Sequence, residues 1–243
     1  MGGKPEALKA SPKCAGICSP NHAVLITTLG TPPRAKPSKG HCIRGLPRTG
    51  SKGLGVVLNY SDEGSDFGGA LETAGGIVRA LPHLADVFWV AAGDVYAPEF
   101  VFSPEAYESF TANPQLAHIW LVPNPSHNPG GDFGLSADGL ALNLPKLGAA
   151  SSQATRPLQA IDPGTLPNAV QPPLYTFSTI ALYKRAFFEA AWCPIPSGNP
   201  EGVKAPLAAM LRAAMDQGLV SASLYEGLWV DVGTPERLAQ LNA

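Results

Sequence analysis

Aromatic residues are missing from the start of the chain, where the first one is Tyr60. The same region, residues 1–52, carries nine Lys or Arg against one acid, Glu6. A stretch rich in Pro, Gly, Ser and Lys and without aromatic residues cannot bury enough apolar surface to offset the entropy of ordering. Residues 1–52 are therefore predicted to be an atypical basic segment, disordered or mistranslated, and the folded domain is predicted to span residues 53–243.

Three interpretations of this basic segment remain open. It could be a tail that binds nucleic acid or anionic surfaces, a solvated extension without a role, or the product of a wrong reading frame or start. Residues 53–243 carry eight Lys or Arg and eighteen acids, so the charge changes sign abruptly near residue 52. Of the three interpretations the wrong frame is favoured, and a nucleic-acid binder is the most remote function considered.

Long hydrophobic runs are also missing. No apolar stretch approaches the roughly 18 residues that cross a bilayer, and no basic flank followed by an apolar core opens the chain. The expected location is therefore the cytoplasm, without a membrane partner.

Cysteine is scarce, with four in the chain. Cys14 and Cys18, with His22 and Cys42 further on, could be read as zinc ligands, but the spacing is loose and no second close pair follows. Reduced, unpaired thiols are the expected state.

From Leu54 onward the pattern becomes regular, with β-rich runs alternating with helical ones. Such alternation predicts an α/β domain with a largely parallel sheet, in which ligands bind outside the carboxyl ends of the strands. Ser103 and Thr234, each followed by a proline, are typical helix N-caps. Strands are predicted at residues 54–60, 87–92, 117–122, 177–183 and 228–231, and helices at 72–81, 103–112, 184–191, 207–217 and from 234.

Two predicted strands end in an aspartate, Asp94 and Asp231. Two acids from separate strands could bind one hard divalent cation, and Mg²⁺ is the cation that carboxylates and phosphates typically bind. Gly93 and Gly233 beside them would allow close approach or a turn of the chain. The alternative is that both acids merely begin loops and bond local amides.

Two further segments are candidates for ligand contact. Gly75 and Gly76 near the start of a predicted helix could present backbone N–H groups to an anion or a flat base, or could be an ordinary helix entry. No Gly-Lys-Ser/Thr follows them, so they are not a P-loop. The polar loop at residues 123–133 contains His127, which is expected to be solvated rather than catalytic.

In their order along the chain, these pieces resemble the sugar-1-phosphate nucleotidyltransferases, and most closely the N-acetylmuramate-1-phosphate uridylyltransferases of cell-wall recycling. The segments that carry the resemblance are Tyr-Ser-Asp-Glu-Gly at residues 60–64, Ala-Leu-Glu-Thr-Ala-Gly-Gly-Ile at 70–77, Gly-Asp at 93–94, Asn-Pro through Gly-Asp-Phe at 124–133, Tyr-Thr-Phe-Ser at 175–178, Lys-Ala-Pro-Leu at 204–207, and Trp-Val-Asp-Val-Gly-Thr at 229–234.

The resemblance implies a Rossmann-like three-layer domain that transfers UMP from UTP to a sugar 1-phosphate and releases pyrophosphate. It implies that Asp94 and Asp231 hold Mg²⁺ and that Lys204 meets the sugar's phosphate. The other roles implied are contacts with base and sugar for Glu72, Thr73, Gly75 and Gly76, and contacts with the sugar phosphate or hydroxyls for Asn124 and Asp132.

The departures from the family lie mainly at the beginning of the chain. The family's glycine-rich loop L-A-A-G-x-G-x-R, which cradles the triphosphate, and its later P-K-P-L are both missing, so the N-terminal part is incomplete or irregular. Thr179 stands where the family has glycine, and residues 145–173 read as an inserted loop. A guanylyltransferase for mannose 1-phosphate and a non-catalytic nucleotide-sugar binder remain as alternatives, and little activity is expected of the chain as it stands.

Overall fold

The fold was described from a computed structural model, which describes residues 24–27, 61, 63–145 and 172–242. The strands are β1 Val24–Thr27, β2 Val87–Ala92, β3 Val95–Tyr96, β4 Ala117–Val122, β5 Phe133–Leu135, β6 Ala141–Leu142, β7 Leu174–Lys184, β8 Val220–Leu224 and β9 Val230–Asp231. The α-helices are α1 Glu63–Phe67, α2 Glu72–Ala80, α3 Pro104–Ala112, α4 Leu207–Met215 and α5 Pro235–Leu241, with short 3₁₀ helices at Leu81–His83 and Arg185–Phe188.

The main sheet is mixed, with the strand order β1-β2-β7-β4-β8. Strands β1 and β2 pair in parallel, and so do β4 and β8. Strand β7 lies in the middle and runs antiparallel to β2 and β4, and its first residues also pair antiparallel with β5, which in turn pairs with β6. Four of these five strands therefore point the same way, as the prediction of a mostly parallel sheet requires, but the two central pairings are antiparallel.

Helices cover both faces of this sheet because side chains along a strand alternate between its faces. On β2, Phe88 and Val90 join a core with residues of α2 and α4, whereas Val87 and Trp89 join a second core with Phe110 of α3. Each core is built from residues that are almost fully buried. The predicted three-layer α/β architecture is thus confirmed.

Helix starts follow the predicted capping pattern. The Ser103 hydroxyl accepts a hydrogen bond from the Ala106 N–H at 3.1 Å, and the Thr234 hydroxyl accepts one from the Arg237 N–H at 3.3 Å. Both helices have proline at their first position, where its missing N–H costs nothing. Among the described residues, no helix has the length and apolarity that crossing a membrane would require.

The basic segment 1–52 contributes one described element. Its residues Val24–Thr27 form β1, which pairs with β2 at the edge of the described sheet. The rest of the segment, the candidate zinc ligands, the strand predicted at 54–60 and most of the expected insertion at 145–173 lie outside the described residues.

Strand β7 contains a strained irregularity at Thr179. Opposite Trp120 of β4, the pairing slips by two residues between Leu121↔Phe177 and Ile119↔Ala181. Thr179 sits inside this irregularity with φ +62°, a conformation that a β-branched residue rarely adopts. Glycine, the residue expected at this position from the family resemblance, adopts such a φ without strain.

Thr179→Gly is expected to stabilise the fold by about 0.5–1 kcal/mol, since glycine relieves roughly 1–2 kcal/mol of left-handed strain but adds chain entropy. Thr179→Ala keeps a Cβ and therefore keeps the strain. Urea unfolding of both variants measures the difference, and an alanine variant as stable as the glycine one would show that the Cβ is not the source of strain.

Candidate active site

Three of the predicted site residues, Asp94, Asn124 and Asp132, follow strands that end at one edge of the sheet. Asp94 comes two residues after β2 ends at Ala92, and the polar loop at 123–132 follows β4. Because β2 and β4 point the same way, their carboxyl ends meet at one edge. This is the edge at which ligands bind in open α/β sheets.

Asp94 and Asp231 are brought together by a small two-stranded sheet. Strand β3 pairs antiparallel with β9, so that Val95 lies opposite Asp231 and the Val232 N–H donates to the Asp94 carbonyl at 2.8 Å. A Cβ at Gly233 would lie 2.9 Å from Asp94 Oδ2 and 3.0 Å from Asp231 Oδ1. The two carboxylate oxygens thus face the same small space, which is open because residue 233 has no side chain.

This space fits a divalent cation held between carboxylates. Its two donors are hard carboxylate oxygens, the ligands that Mg²⁺ prefers, and Mg²⁺ is commonly bound by one or two carboxylates together with substrate phosphates. Within residues 63–145 and 172–242, three or more His, Cys, Asp or Glu side chains do not come together as a complete metal site. A cation here would therefore take its remaining oxygens from water or from a ligand.

Asp231 has three further partners. Its Oδ1 accepts the Gly233 N–H at 2.8 Å and lies 3.1 Å from Arg237 Nη2 of α5. Its Oδ2 lies 3.5 Å from His127 Nε2, on the loop after β4. His127 is exposed, as expected of a solvated residue on this loop, and its ring also lies beside the carboxylate.

A cavity of about 340 Å³ adjoins Asp231. It lies between the loop after β4 and helix α5, and Trp229 contributes to its wall. The Trp229 Nε1–H donates to the Ser178 carbonyl at 3.0 Å, which ties the segment before β9 to the irregular part of β7. The polar side chains of the lining are Ser126, His127, Asp231, Arg237 and Gln240.

The turn into α2 carries the residues predicted to contact base and sugar, Glu72, Thr73, Gly75 and Gly76. Glu72 is exposed and has φ +59°, unusual for a residue other than glycine, and Thr73 is half-buried beside it. Gly75 and Gly76, in contrast, are buried inside the helix. A Cβ at Gly75 would lie 2.6 Å from the Val203 carbonyl oxygen, so Gly75 lets that segment pack against the helix.

The Gly75 N–H is not free for a ligand. It donates to the Ala205 carbonyl at 3.3 Å, as the Ala74 N–H does at 3.0 Å. The prediction that the glycine pair presents its N–H groups to a ligand is therefore wrong for Gly75. Gly76 admits another group, the Glu63 carboxylate of α1, which also accepts the Leu71 N–H at 2.7 Å.

Lys204 lies next to this turn. Its neighbour Ala205 donates its N–H to the Leu71 carbonyl at 3.1 Å, and the Lys204 side chain is exposed. The structure therefore brings Lys204 together with Glu72 and Thr73, residues far from it in the sequence.

Asn124 and Asp132 belong to a polar network that ties the loop after β4 to β7. Thr176 Oγ donates to Asn124 Oδ1 at 3.0 Å, and the Asn124 amide donates to the Leu174 carbonyl at 2.9 Å. Asp132 Oδ2 accepts the Phe177 N–H at 3.0 Å and the Asn128 amide at 3.1 Å. Both side chains hold the shape of the loop through these bonds.

Sequence reasoning missed Arg237, Asn199 and Glu63. A signal for Arg237 existed, since the Thr234 cap makes it the third helical residue, in the turn that faces the preceding loop. Asn199 acts partly through Gly75, far away in the sequence, and Glu63 acts through Leu71 and Gly76 of the next helix, and neither contact is indicated by the local pattern.

The chain has recognisable relatives. A curated protein from Neisseria meningitidis serogroup B, an N-acetylmuramate alpha-1-phosphate uridylyltransferase, is 36% identical over 192 residues, which is 78% of this chain and 67% of that protein. No family model matches. Among solved structures, similar chains include one described as a glucose-1-phosphate thymidylyltransferase of Bacillus anthracis (TM-score 0.44, 18% identity, 74% of this chain and 67% of that one) and HddC from Yersinia pseudotuberculosis (TM-score 0.44, 15% identity, 70% and 60%).

Proposed function

Since the chain belongs to the sugar-1-phosphate nucleotidyltransferase family, we propose that it takes part in the transfer of UMP from UTP to a sugar 1-phosphate of the N-acetylmuramate type, with release of pyrophosphate. The choice of UTP and of this acceptor rests on the Neisseria relative, which shares 36% of its aligned residues with this chain. Recycling of cell-wall sugar in the cytoplasm is the corresponding cellular role.

The observation that carries this proposal is the convergence of Asp94 and Asp231 on the space beside Gly233. Both carboxylate oxygens come within 3.0 Å of a single point there. Two strand-end acids around one small space are suited to holding Mg²⁺ against a phosphate rather than to acid–base chemistry on a sugar. Phosphoryl transfer requires mainly positioning and charge neutralisation, which such a pair supports.

In the proposed reaction, Mg²⁺ held by Asp94 and Asp231 would neutralise charge on the α-phosphate. Lys204, exposed beside the turn into α2, supplies a positive charge for the phosphate of the acceptor sugar. Glu72 and Thr73 are the contacts for base and sugar, and the positive φ of Glu72 supports a functional constraint there.

The loop after β4 is proposed to contact the acceptor. Asn124 and Asp132 are fixed to β7 by their hydrogen bonds, so the loop is held in one shape for binding. For Gly75 and Gly76 we propose an indirect part: their small size lets the Lys204 segment and Glu63 pack against α2.

A second candidate, a nucleotide-sugar binder without turnover, is favoured by one observation. The glycine-rich loop that cradles the triphosphate in the resembling family has no counterpart in this sequence. The pure chain is then expected to bind a uridine nucleotide but to release little pyrophosphate.

Thermal unfolding with Mg²⁺ and UTP, GTP or UDP tests the proposal. At a ligand concentration of about 100 times Kd, a bound nucleotide raises Tm by roughly 5–10 °C in a chain of this size. Uridine nucleotides should produce this shift, GTP should not, and Asp231→Asn should abolish it. A Tm shift with GTP alone would favour a guanylyltransferase function. Rapid pyrophosphate release from UTP and the sugar phosphate would contradict the hypothesis of a binding protein without turnover.

A further inference from the structure

The geometry around Asp231 points to a role for Arg237 in both cation and ligand binding. We propose that Arg237 is the resident counter-ion of Asp231, which it pairs with until a divalent cation binds, and that it then turns into the adjoining cavity to bind a phosphate of the ligand. This inference rests on the proposed function, since it assumes that Asp94 and Asp231 receive a cation.

The position of the guanidinium group is the first argument. Arg237 Nη2 lies 3.1 Å from Asp231 Oδ1 and 3.4 Å from the point that a Cβ at Gly233 would occupy. Asp94 Oδ2 and Asp231 Oδ1 converge on that same point. A cation bound between the two carboxylates would therefore meet the positive charge of Arg237 at close range, and like charges repel strongly where solvent screening is reduced.

Burial strengthens this conflict. The side chains of Asp231 and Arg237 are 27% and 28% exposed, so water screens the pair only in part. The cation must therefore either tolerate the arginine or displace it from Asp231. If Arg237 is displaced, its charge no longer repels the cation, and Asp231 Oδ1 can bind the cation instead.

The unused donor of Arg237 is the second argument. Its Nε is buried and makes no hydrogen bond to any described residue. A buried donor without a partner costs free energy, which a ligand oxygen would recover. Arg237 lines the cavity of about 340 Å³ together with Ser126, His127, Gln240 and Asp231, so phosphate oxygens would find donors there once a cation neutralises Asp231.

The two parts of this proposal predict opposite effects for one substitution. Arg237→Gln removes the charge that competes with the cation, so Mn²⁺ used in place of Mg²⁺ should bind about fivefold more tightly, the size expected for one partly exposed ion pair. With Mg²⁺ saturating, the same substitution removes a charged phosphate contact, so UDP should bind about fivefold more weakly or worse.

Electron paramagnetic resonance of free Mn²⁺ measures the first effect on the whole chain, and calorimetric titration of UDP measures the second. Arg237→Lys keeps the charge and is the matched control: its Mn²⁺ affinity should stay near that of the unsubstituted chain. Unchanged or weaker Mn²⁺ binding by Arg237→Gln, or unchanged UDP binding, would overturn the proposal.

Asp231→Asn separates this inference from the function beneath it. If Mn²⁺ binding disappears in Asp231→Asn but is unaffected by Arg237→Gln, only the role of Arg237 is wrong. If the unsubstituted chain binds no Mn²⁺, or binds it equally well after Asp231→Asn, the carboxylate site and the role of Arg237 both fail.

Discussion

Asn199→Ala is expected to lower the free energy of unfolding by about 3–5 kcal/mol, because it leaves buried backbone groups without partners and puts alanine into a left-handed conformation. The Asn199 side chain is completely buried. Its amide donates to the Gly75 carbonyl at 3.1 Å and to the Val203 carbonyl at 2.9 Å, and its Oδ1 accepts the Val203 N–H at 2.8 Å.

The bond to Gly75 joins the segment before Lys204 to helix α2, and the two bonds to Val203 close the turn within that segment. Their loss should free the turn at 199–205 from the helix and move Lys204 away from Glu72, so uridine-nucleotide binding should weaken together with stability. Urea unfolding followed by fluorescence measures the first effect, and titration of UDP with Mg²⁺ measures the second.

Two controls isolate the buried side chain. Asn242→Ala removes an exposed amide that donates to the Leu238 carbonyl, and should cost no more than about 0.5 kcal/mol. Asn199→Gly removes the same hydrogen bonds but accepts φ +42° without strain, so it should be about 1 kcal/mol more stable than the alanine variant. A loss below about 1 kcal/mol for Asn199→Ala would mean that water replaces the amide.

The effect of Asn199 could not be predicted from sequence, whereas the helix starts could. The caps at Ser103 and Thr234 depend only on residues within one helical turn, so they can be predicted from the sequence. Asn199 sits in a Pro-Ser-Gly-Asn-Pro stretch that reads only as a loop. Two of its hydrogen bonds go to Val203 nearby, but the one that ties it to α2 goes to Gly75, 124 positions away in the sequence.

The candidate site shows the same division. That strands end in Asp94 and Asp231 was predictable from apolar runs that stop at an acid. That the two acids share one space depends on the pairing of β3 with β9, two-residue strands too short to leave a pattern. The pairing of β7 between β2 and β4 was equally hidden, because a buried strand has the same apolar run whichever way it points.

The glycine pair at residues 75–76 has a structural importance, but the reason predicted for Gly75 was wrong. Gly75 and Gly76 do lie near the start of the predicted helix, but a glycine is required wherever backbones approach closely as well as where a ligand does. Only the contacts of Gly75 with Val203 and Ala205 decide between these two explanations.

His118 is expected to make the fold sensitive to acid. Its ring lies on β4, where Nδ1 is 2.9 Å from the Ser221 hydroxyl of β8 and the ring centroid is 4.4 Å from that of Trp120. Burial lowers the pKa of His118 to about 4. In the unfolded chain its pKa is that of a free histidine, about 6.5.

The sign of the effect follows from these two pKa values. Between about pH 4 and 6.5 the unfolded chain binds a proton at this histidine and the folded chain does not, so stability falls as the pH falls. Above about pH 6.5 this histidine causes no loss of stability, and the loss reaches roughly 3 kcal/mol by pH 4. Below pH 4 this histidine adds no further change.

Urea unfolding at a series of pH values measures this loss, and His118→Gln should remove roughly 3 kcal/mol of pH dependence from the curve. His83→Gln, which replaces an exposed histidine, is the matched control and should leave the curve nearly unchanged. If His118→Gln keeps the full slope between pH 4 and 6.5, other groups cause the acid sensitivity.

The location of His118 also predicts where acid acts first. Strand β8 is the edge of the sheet and pairs only with β4 along its length, apart from a single bridge between Ser221 and Leu140, as far as the described residues go. A charged imidazole in this place would need water, and the opening that admits it is the separation of β8 from β4. The protection of the Val220–Leu224 amides against hydrogen exchange, relative to the intrinsic rate at each pH, should therefore fall below about pH 5, before the central strands are affected. The central pairings of β7 with β2 and β4, which hold the loop after β4, should still be protected at that pH.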